Sequence, residues 1–182
     1  MFANALPYDF QPLTFNSEQL MLSESAREKI QALKTKYPHA RSAVMPALYI
    51  AQAEYGWLPQ NAIDEVAAEL DLTATEVGSV ASFYTMYHLQ AVGRHVIDFC
   101  TDLPCALVGA DAAYERLCQR LGLEQGQETT DDNAITLRHA PCLGGCDQAP
   151  VLLLDNNAQY EAMTDEKLDA LIAQLRAAAH PS

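Results

Sequence analysis

Of the five cysteines in this 182-residue chain, four fall into two pairs. Cys100 and Cys105 are spaced C-x4-C, 36 residues follow, and Cys142 and Cys146 are spaced C-x3-C. Thiolates are soft ligands. Four of them in two unequal pairs can close around two irons bridged by two sulfides, one iron to each pair. The second pair lies in Pro141-Cys-Leu-Gly-Gly-Cys-Asp-Gln-Ala-Pro150. Gly144 and Gly145, between its thiols, have no β-carbon. They are expected to let backbone N–H groups approach the sulfurs, which would stabilise a reduced, more negative cluster.

Other chemistries compete for the same thiols. Structural zinc takes cysteine pairs two to four residues apart, a range that both pairs approach, although the common C-x2-C knuckle is absent. A disulfide framework fits poorly with an odd cysteine count and no secretory signal. Thiol redox catalysis calls for C-x-x-C, which neither pair supplies. Plant-type ferredoxin spacing fails as well, because its third cysteine follows the second closely. Spacing therefore favours iron–sulfur chemistry over zinc or thiol chemistry and leaves all three open.

The fifth cysteine reads as packing. Tyr114, Leu117, Cys118 and Leu121 share one face at helical spacing, and a free cysteine on such a face behaves as a small apolar residue. His139 stands three residues before Cys142, but four thiolates leave no need for another ligand. His39, His88, His95 and His180 are scattered. Asp131 and Asp132 read as turn residues. No G-x-G-x-x-G, Walker or G-x-S-x-G motif occurs.

The elements that must position the thiols form two groups. From Ser25 to Leu89 the pattern is helical. Ser25-Ala-Arg-Glu28 and Thr73-Ala-Thr-Glu76 read as capping boxes, Pro38 and Gly56 as stops. Four short helices with brief connections predict a compact bundle. Past Gly93 the period changes. A strand over 94–100 delivers Cys100 at its end, a helix covers 106–121, and a second strand over 135–139 leads into Cys142. A hairpin turns at Asp155-Asn-Asn157, and a last helix follows Thr164. The order β-α-β-β-β-α predicts a small sheet with helices on its faces. Both cysteine pairs would then sit on loops at one end of it.

Composition narrows the function classes. The net charge is −13, from 24 acidic and 11 basic side chains. Binding to nucleic acid or to an anionic membrane needs cations, so both are disfavoured. No apolar run approaches the roughly 18 residues of a membrane span, and the N-terminus lacks the features of a secretory signal. A soluble intracellular protein is expected. Residues 1–22 carry Phe2, Leu6, Tyr8, Phe10, Leu13 and Phe15, with Pro7 and Pro12. A disordered tail is the default for such a segment, and its aromatic content makes an arm docking on a partner the alternative.

Gly56-Trp-Leu-Pro59, Gly78-Ser-Val-Ala-Ser-Phe-Tyr84, Val92-Gly-Arg-His95 and the two cysteine segments occur together and in order. They resemble the small 2Fe-2S subunit of the NADH-dehydrogenase module of respiratory complex I, over roughly residues 25–178. Related subunits occur in NAD-linked hydrogenases and formate dehydrogenases. The resemblance implies an α+β or α/β chain: an extension over 1–22, a helical bundle over 23–92 and a thioredoxin-like ferredoxin domain over 93–182. It implies one 2Fe-2S cluster on Cys100, Cys105, Cys142 and Cys146. It implies docking on a larger subunit that binds FMN and NADH, with further peripheral-arm subunits, on the cytoplasmic side of a membrane and without insertion. The expected role is one-electron transfer within a proton-translocating NADH:quinone oxidoreductase, with no NADH oxidation by the chain alone. The alternatives are the equivalent subunit of a hydrogenase or formate dehydrogenase and, from another class, a zinc-stabilised interaction module. Two departures from the family pattern leave the ligand set intact. Asn133 stands where the family often has glycine, and asparagine tolerates a left-handed turn. Pro141 stiffens the approach to Cys142.

Overall fold

A computed structural model describes residues 21–177. Of the expected docking arm, only Met21 and Leu22 fall within them. The chain divides into two compact units, with the boundary in sequence between Gln90 and Ala91.

The first unit is built from four helices: α1 Glu24–Lys36, α2 Val44–Tyr55, α3 Gln60–Glu69 and α4 Ala74–Phe83. Helix α1 starts two residues earlier than its Ser25 capping box predicts. Ser23 is the N-cap, accepting from the Ala26 N–H, and its hydroxyl also donates to Glu54. Tyr37, held extended ahead of Pro38, ends it. A short 3-10 turn over Ala40–Ala43 precedes α2, which Gly56 closes in the left-handed conformation. Thr73 and Glu76 form the expected reciprocal capping box at α4. Ile30, Val44, Leu48, Leu58, Val66, Leu70 and Val77 make one buried core. Each large aliphatic side chain buried there contributes about 1.5–3 kcal/mol. Arg27 and Glu65 pair at 3.2 Å, and Glu65 also accepts from the Tyr55 hydroxyl and the Leu22 N–H, tying α1, α2 and α3 together.

The second unit places the cysteines. Its elements are β1 His95–Cys100, α5 Leu103–Leu107, α6 Ala110–Leu121, β2 Ile135–Ala140, β3 Leu152–Leu154, β4 Ala158–Tyr160 and α7 Asp165–Ala177. The single expected helix over 106–121 is two, because Gly109 takes a left-handed conformation between them. The four strands lie in the order β2-β1-β3-β4, with β1 and β2 parallel and the other pairs antiparallel. Asp155 and Asn156 both have positive φ, the geometry of a tight hairpin turn between β3 and β4. Ile97, Phe99, Leu137, Leu152 and Leu154 share one core with Leu117 of α6 and Leu168, Leu171 and Ile172 of α7. Arg116–Asp165 and Arg120–Asp169 contacts, each 3.1 Å, set α6 beside α7 on that face. Strand alternation turns Val96, Asp98, Thr136 and Arg138 to the other face. Among the described residues no helix is long and apolar enough to cross a membrane.

Candidate metal centre

Strands β1 and β2 run in register from His95 opposite Ile135 to Cys100 opposite Ala140. Parallel pairing makes both strands finish at the same edge of the sheet, so the loops that leave them start side by side. The first loop turns into α5, where Asp102 is the N-cap and Pro104 occupies the first turn, which needs no N–H. That short helix carries Cys105 inward, and both Cys100 and Cys105 are buried. The second loop carries Cys142 and then Cys146, which opens a 3-10 turn over Cys146–Gln148. These two thiols are exposed and lie 3.4 Å apart.

The thiols interact in two pairs. Burial pushes the Cys105 thiol up, the Val151 backbone N–H donating to it works the other way, and hydrogen bonding to Cys100 and the charges of Cys100 and Cys142 raise it again. The Cys146 thiol is pushed up first by its hydrogen bond with Cys142, then by slight desolvation and the charges of Cys142, Cys105 and Cys100. Cys142 and Cys146 contact one another directly, Cys105 senses Cys100, and the two pairs sense one another through charge. Among the described residues no group of three or more His, Cys, Asp or Glu side chains gathers around one metal ion; the grouping is two and two. Thiolates crowded in this way repel one another. A cationic centre between them removes that penalty, so the donor set suits a thiophilic metal or cluster.

Residues outside the cysteine pattern complete the site. Val151 offers its N–H to Cys105 and accepts from the Cys100 N–H through its carbonyl at 3.0 Å. Nothing in its local sequence marks it; the contact exists because β3 pairs with β1. Gly144 has φ +83°, the left-handed region. Gly145 is needed for closeness: a β-carbon there would lie 2.9 Å from Val151 Cγ1 and 2.7 Å from Gln159 Nε2. Gln159 can swing away, whereas Val151 is held by its neighbours. Gly145→Ala is therefore expected to lower stability by about 1–3 kcal/mol. Urea unfolding checks this, and an unchanged midpoint would show that the loop adapts at no cost.

Cys118 sits apart on α6, half-buried beside the core and next to Tyr114. His139 stacks on Tyr114 with ring centroids 3.7 Å apart, and its Nδ1 lies 3.1 Å from the Thr101 hydroxyl. Asp132 accepts from the Thr130 hydroxyl and the Ala134 N–H, as a turn residue does. Asn133 takes the left-handed conformation that the sequence implies.

The thioredoxin-like [2Fe-2S] ferredoxin family model matches residues 30–176. The chain belongs to this family. Its curated relatives in the thioredoxin-like ferredoxin family include an NADH-quinone oxidoreductase subunit of Rhizobium meliloti (strain 1021). That relative is 42% identical over 153 residues, covering 84% of this chain and 89% of the relative. An NADH-quinone oxidoreductase subunit of Rickettsia bellii (strain RML369-C) is 38% identical over 166 residues, covering 90% and 94%. Another, of Mycobacterium tuberculosis (strain ATCC 25618 / H37Rv), is 39% identical over 141 residues; the match spans 78% of this chain and 55% of that longer relative. Among solved structures, an NAD+-reducing [NiFe]-hydrogenase in the air-oxidized state aligns with TM-score 0.63 and 27% identity. The alignment covers 74% of this ferredoxin and 23% of the hydrogenase chain.

Proposed function

We propose that this chain is a one-electron carrier subunit of an NADH:quinone oxidoreductase, holding one 2Fe-2S cluster on Cys100, Cys105, Cys142 and Cys146. The observation that supports the reading is two thiol pairs, Cys142 and Cys146 3.4 Å apart and Cys100 and Cys105 buried together, each sensing the other's charge. When bound, such a cluster supplies a site for one electron. The chain supplies the rest. Cys100 and Cys105 anchor the inner side in the core, and Cys142 and Cys146 leave the outer side open to an exchange partner. The Val151 N–H favours negative charge on the Cys105 sulfur. Gly145 lets the second loop close on β3.

Residues 93–182 form the cluster domain in this reading, and residues 23–92 the companion bundle. The donor or acceptor is a larger subunit carrying FMN and NADH, with other peripheral-arm subunits around it, on the cytoplasmic side of the membrane. NADH oxidation is assigned to that partner. Proton translocation belongs to the whole complex. The likeness to an NAD+-reducing hydrogenase supports a second reading, in which the same electron carrier serves a soluble hydrogenase.

The test is an anaerobic preparation with iron, sulfide and zinc counted on one sample, and EPR before and after dithionite. Two irons and two sulfides per chain, with a paramagnetic signal on reduction, are expected. A colourless protein holding one zinc, unchanged by anaerobic reconstitution, would replace this reading with the zinc-stabilised module.

A further inference from the structure

Between the two thiol loops stands a histidine that the ligand set leaves unused. His139 pairs in register with Phe99. Strand alternation turns both residues, and Thr101 two positions on, to the face that α6 covers. Tyr114 of α6 meets this group twice. Its ring is edge-on to Phe99, with centroids 6.2 Å apart, and it stacks on His139 at 3.7 Å and 22°. The His139 Nδ1 in turn lies 3.1 Å from the Thr101 hydroxyl, within hydrogen-bonding distance whichever atom donates. His139 is exposed. An exposed side chain ordinarily keeps its rotamer freedom, because holding it costs entropy. Here a ring on one side and a hydroxyl on the other hold it.

The places of these residues in the chain give the contact its meaning. Thr101 directly follows Cys100 and precedes Asp102, the N-cap of the helix that carries Cys105. His139 stands three residues before Cys142. The backbone joins the two loops weakly where the β1–β2 ladder ends. The Thr101 N–H reaches the Ala140 carbonyl at 3.4 Å, beyond the roughly 2.7–3.2 Å usual for such a bond. Pro141 then has no N–H with which to extend the ladder. We propose that Thr101, His139 and Tyr114 form a clasp of positioning residues that fixes the spacing between the inner thiol pair and the outer one, and so holds the cluster against loss. His139 ligates nothing. It acts through Thr101 on the Cys100 loop and through its own strand on the Cys142 loop, and Tyr114 ties it to the core that α6 shares with the sheet. The inference rests on the 2Fe-2S reading above. Two irons held by two different loops are sensitive to the spacing of those loops, and residues behind the ligands are what orient them.

The experiment uses the full chain, loaded anaerobically. Iron release to excess bathophenanthroline disulfonate is followed by absorbance, and the EPR spectrum is recorded after dithionite. His139→Ala and Thr101→Val are each expected to release iron roughly tenfold faster, in line with the affinity lost when a residue behind a metal ligand is removed. Each should also shift or broaden the EPR signal, a readout that a general loss of stability would not move. The double variant should be no worse than either single one, because both break the same contact. Thr101→Ser keeps the hydroxyl and should restore both readouts. His139 is exposed and valine matches threonine in shape, so these variants are expected to fold. Unchanged iron release and EPR in both single variants, additive losses in the double variant, or Thr101→Ser behaving like Thr101→Val would each overturn the proposal. A wild-type chain that loads zinc alone, or no iron and sulfide, would instead overturn the cluster reading on which it rests.

Discussion

Cys105→Ser should strip the chain of its iron and sulfide, while Cys118→Ser should keep both. The two cysteines are of one type and stand 13 positions apart, so the contrast isolates geometry. Cys105 is buried at the mouth of the sheet beside Cys100, held by the Val151 N–H and close enough to Cys142 to sense its charge. Serine in its place offers a shorter, harder oxygen that does not ionise at neutral pH. The iron that Cys100 and Cys105 would share loses half of its protein ligands. The affinity loss is expected to exceed the roughly 10–100-fold that follows removal of an outer-shell partner. Folding should suffer with it, because whatever binds only the native state stabilises that state. Cys118 differs in each respect. Its thiol lies beside Tyr114 at the edge of the core, and serine is close to it in size. Its loss should cost under ~1 kcal/mol. Iron and sulfide counts with thermal unfolding decide the matter. Iron retained by Cys105→Ser and lost by Cys118→Ser would mean that the ligand set is wrong.

That contrast is legible in the sequence, because it depends on periodicity. Tyr114, Leu117, Cys118 and Leu121 follow helical spacing, and Cys100 ends a β-branched and aromatic run. Local chemistry also marks the Thr73–Glu76 box, the stop at Gly56 and the turn at Asp155–Asn157, since each needs only neighbours in sequence. What the sequence hides is non-local. Ser25 and Glu28 satisfy the capping pattern as text, yet Ser23 is the cap because Glu54 of α2 also engages its backbone N–H and its hydroxyl. Gly109 reads as a slender helical position and breaks the helix instead. The Val151 N–H becomes visible only once β3 lies beside β1. Gly145 is expected to serve the sulfurs through its backbone; the structure gives it a further duty, packing against Val151.

Arg138→Met is expected to destabilise the second unit by about 2–3 kcal/mol at neutral pH, because it leaves a poorly hydrated carboxylate without its counter-charge. Arg138 and Asp98 face one another across the β1–β2 ladder, with paired contacts of 2.9 and 3.0 Å. Their side chains are only 21% and 12% exposed, so solvent screening is weak. Burial holds the Asp98 carboxyl above the usual range despite the guanidinium, and Glu128 and Asp155 add to the push. A carboxyl raised in the fold favours the folded state when protonated. That contribution is complete below the ordinary carboxylate range and is lost as pH rises through the raised value. Arg138→Met removes the cation that opposes this rise. The variant should therefore recover stability as pH falls through the carboxylate range, before general acid unfolding sets in. Asp98→Leu combined with Arg138→Met should restore most of the loss, since two apolar groups of similar size leave no buried charge behind. Urea unfolding of the two single variants and the double variant, repeated across pH, measures the coupling directly. Additive losses with no pH dependence would mean that water reaches this pair and that the ion pair holds nothing together.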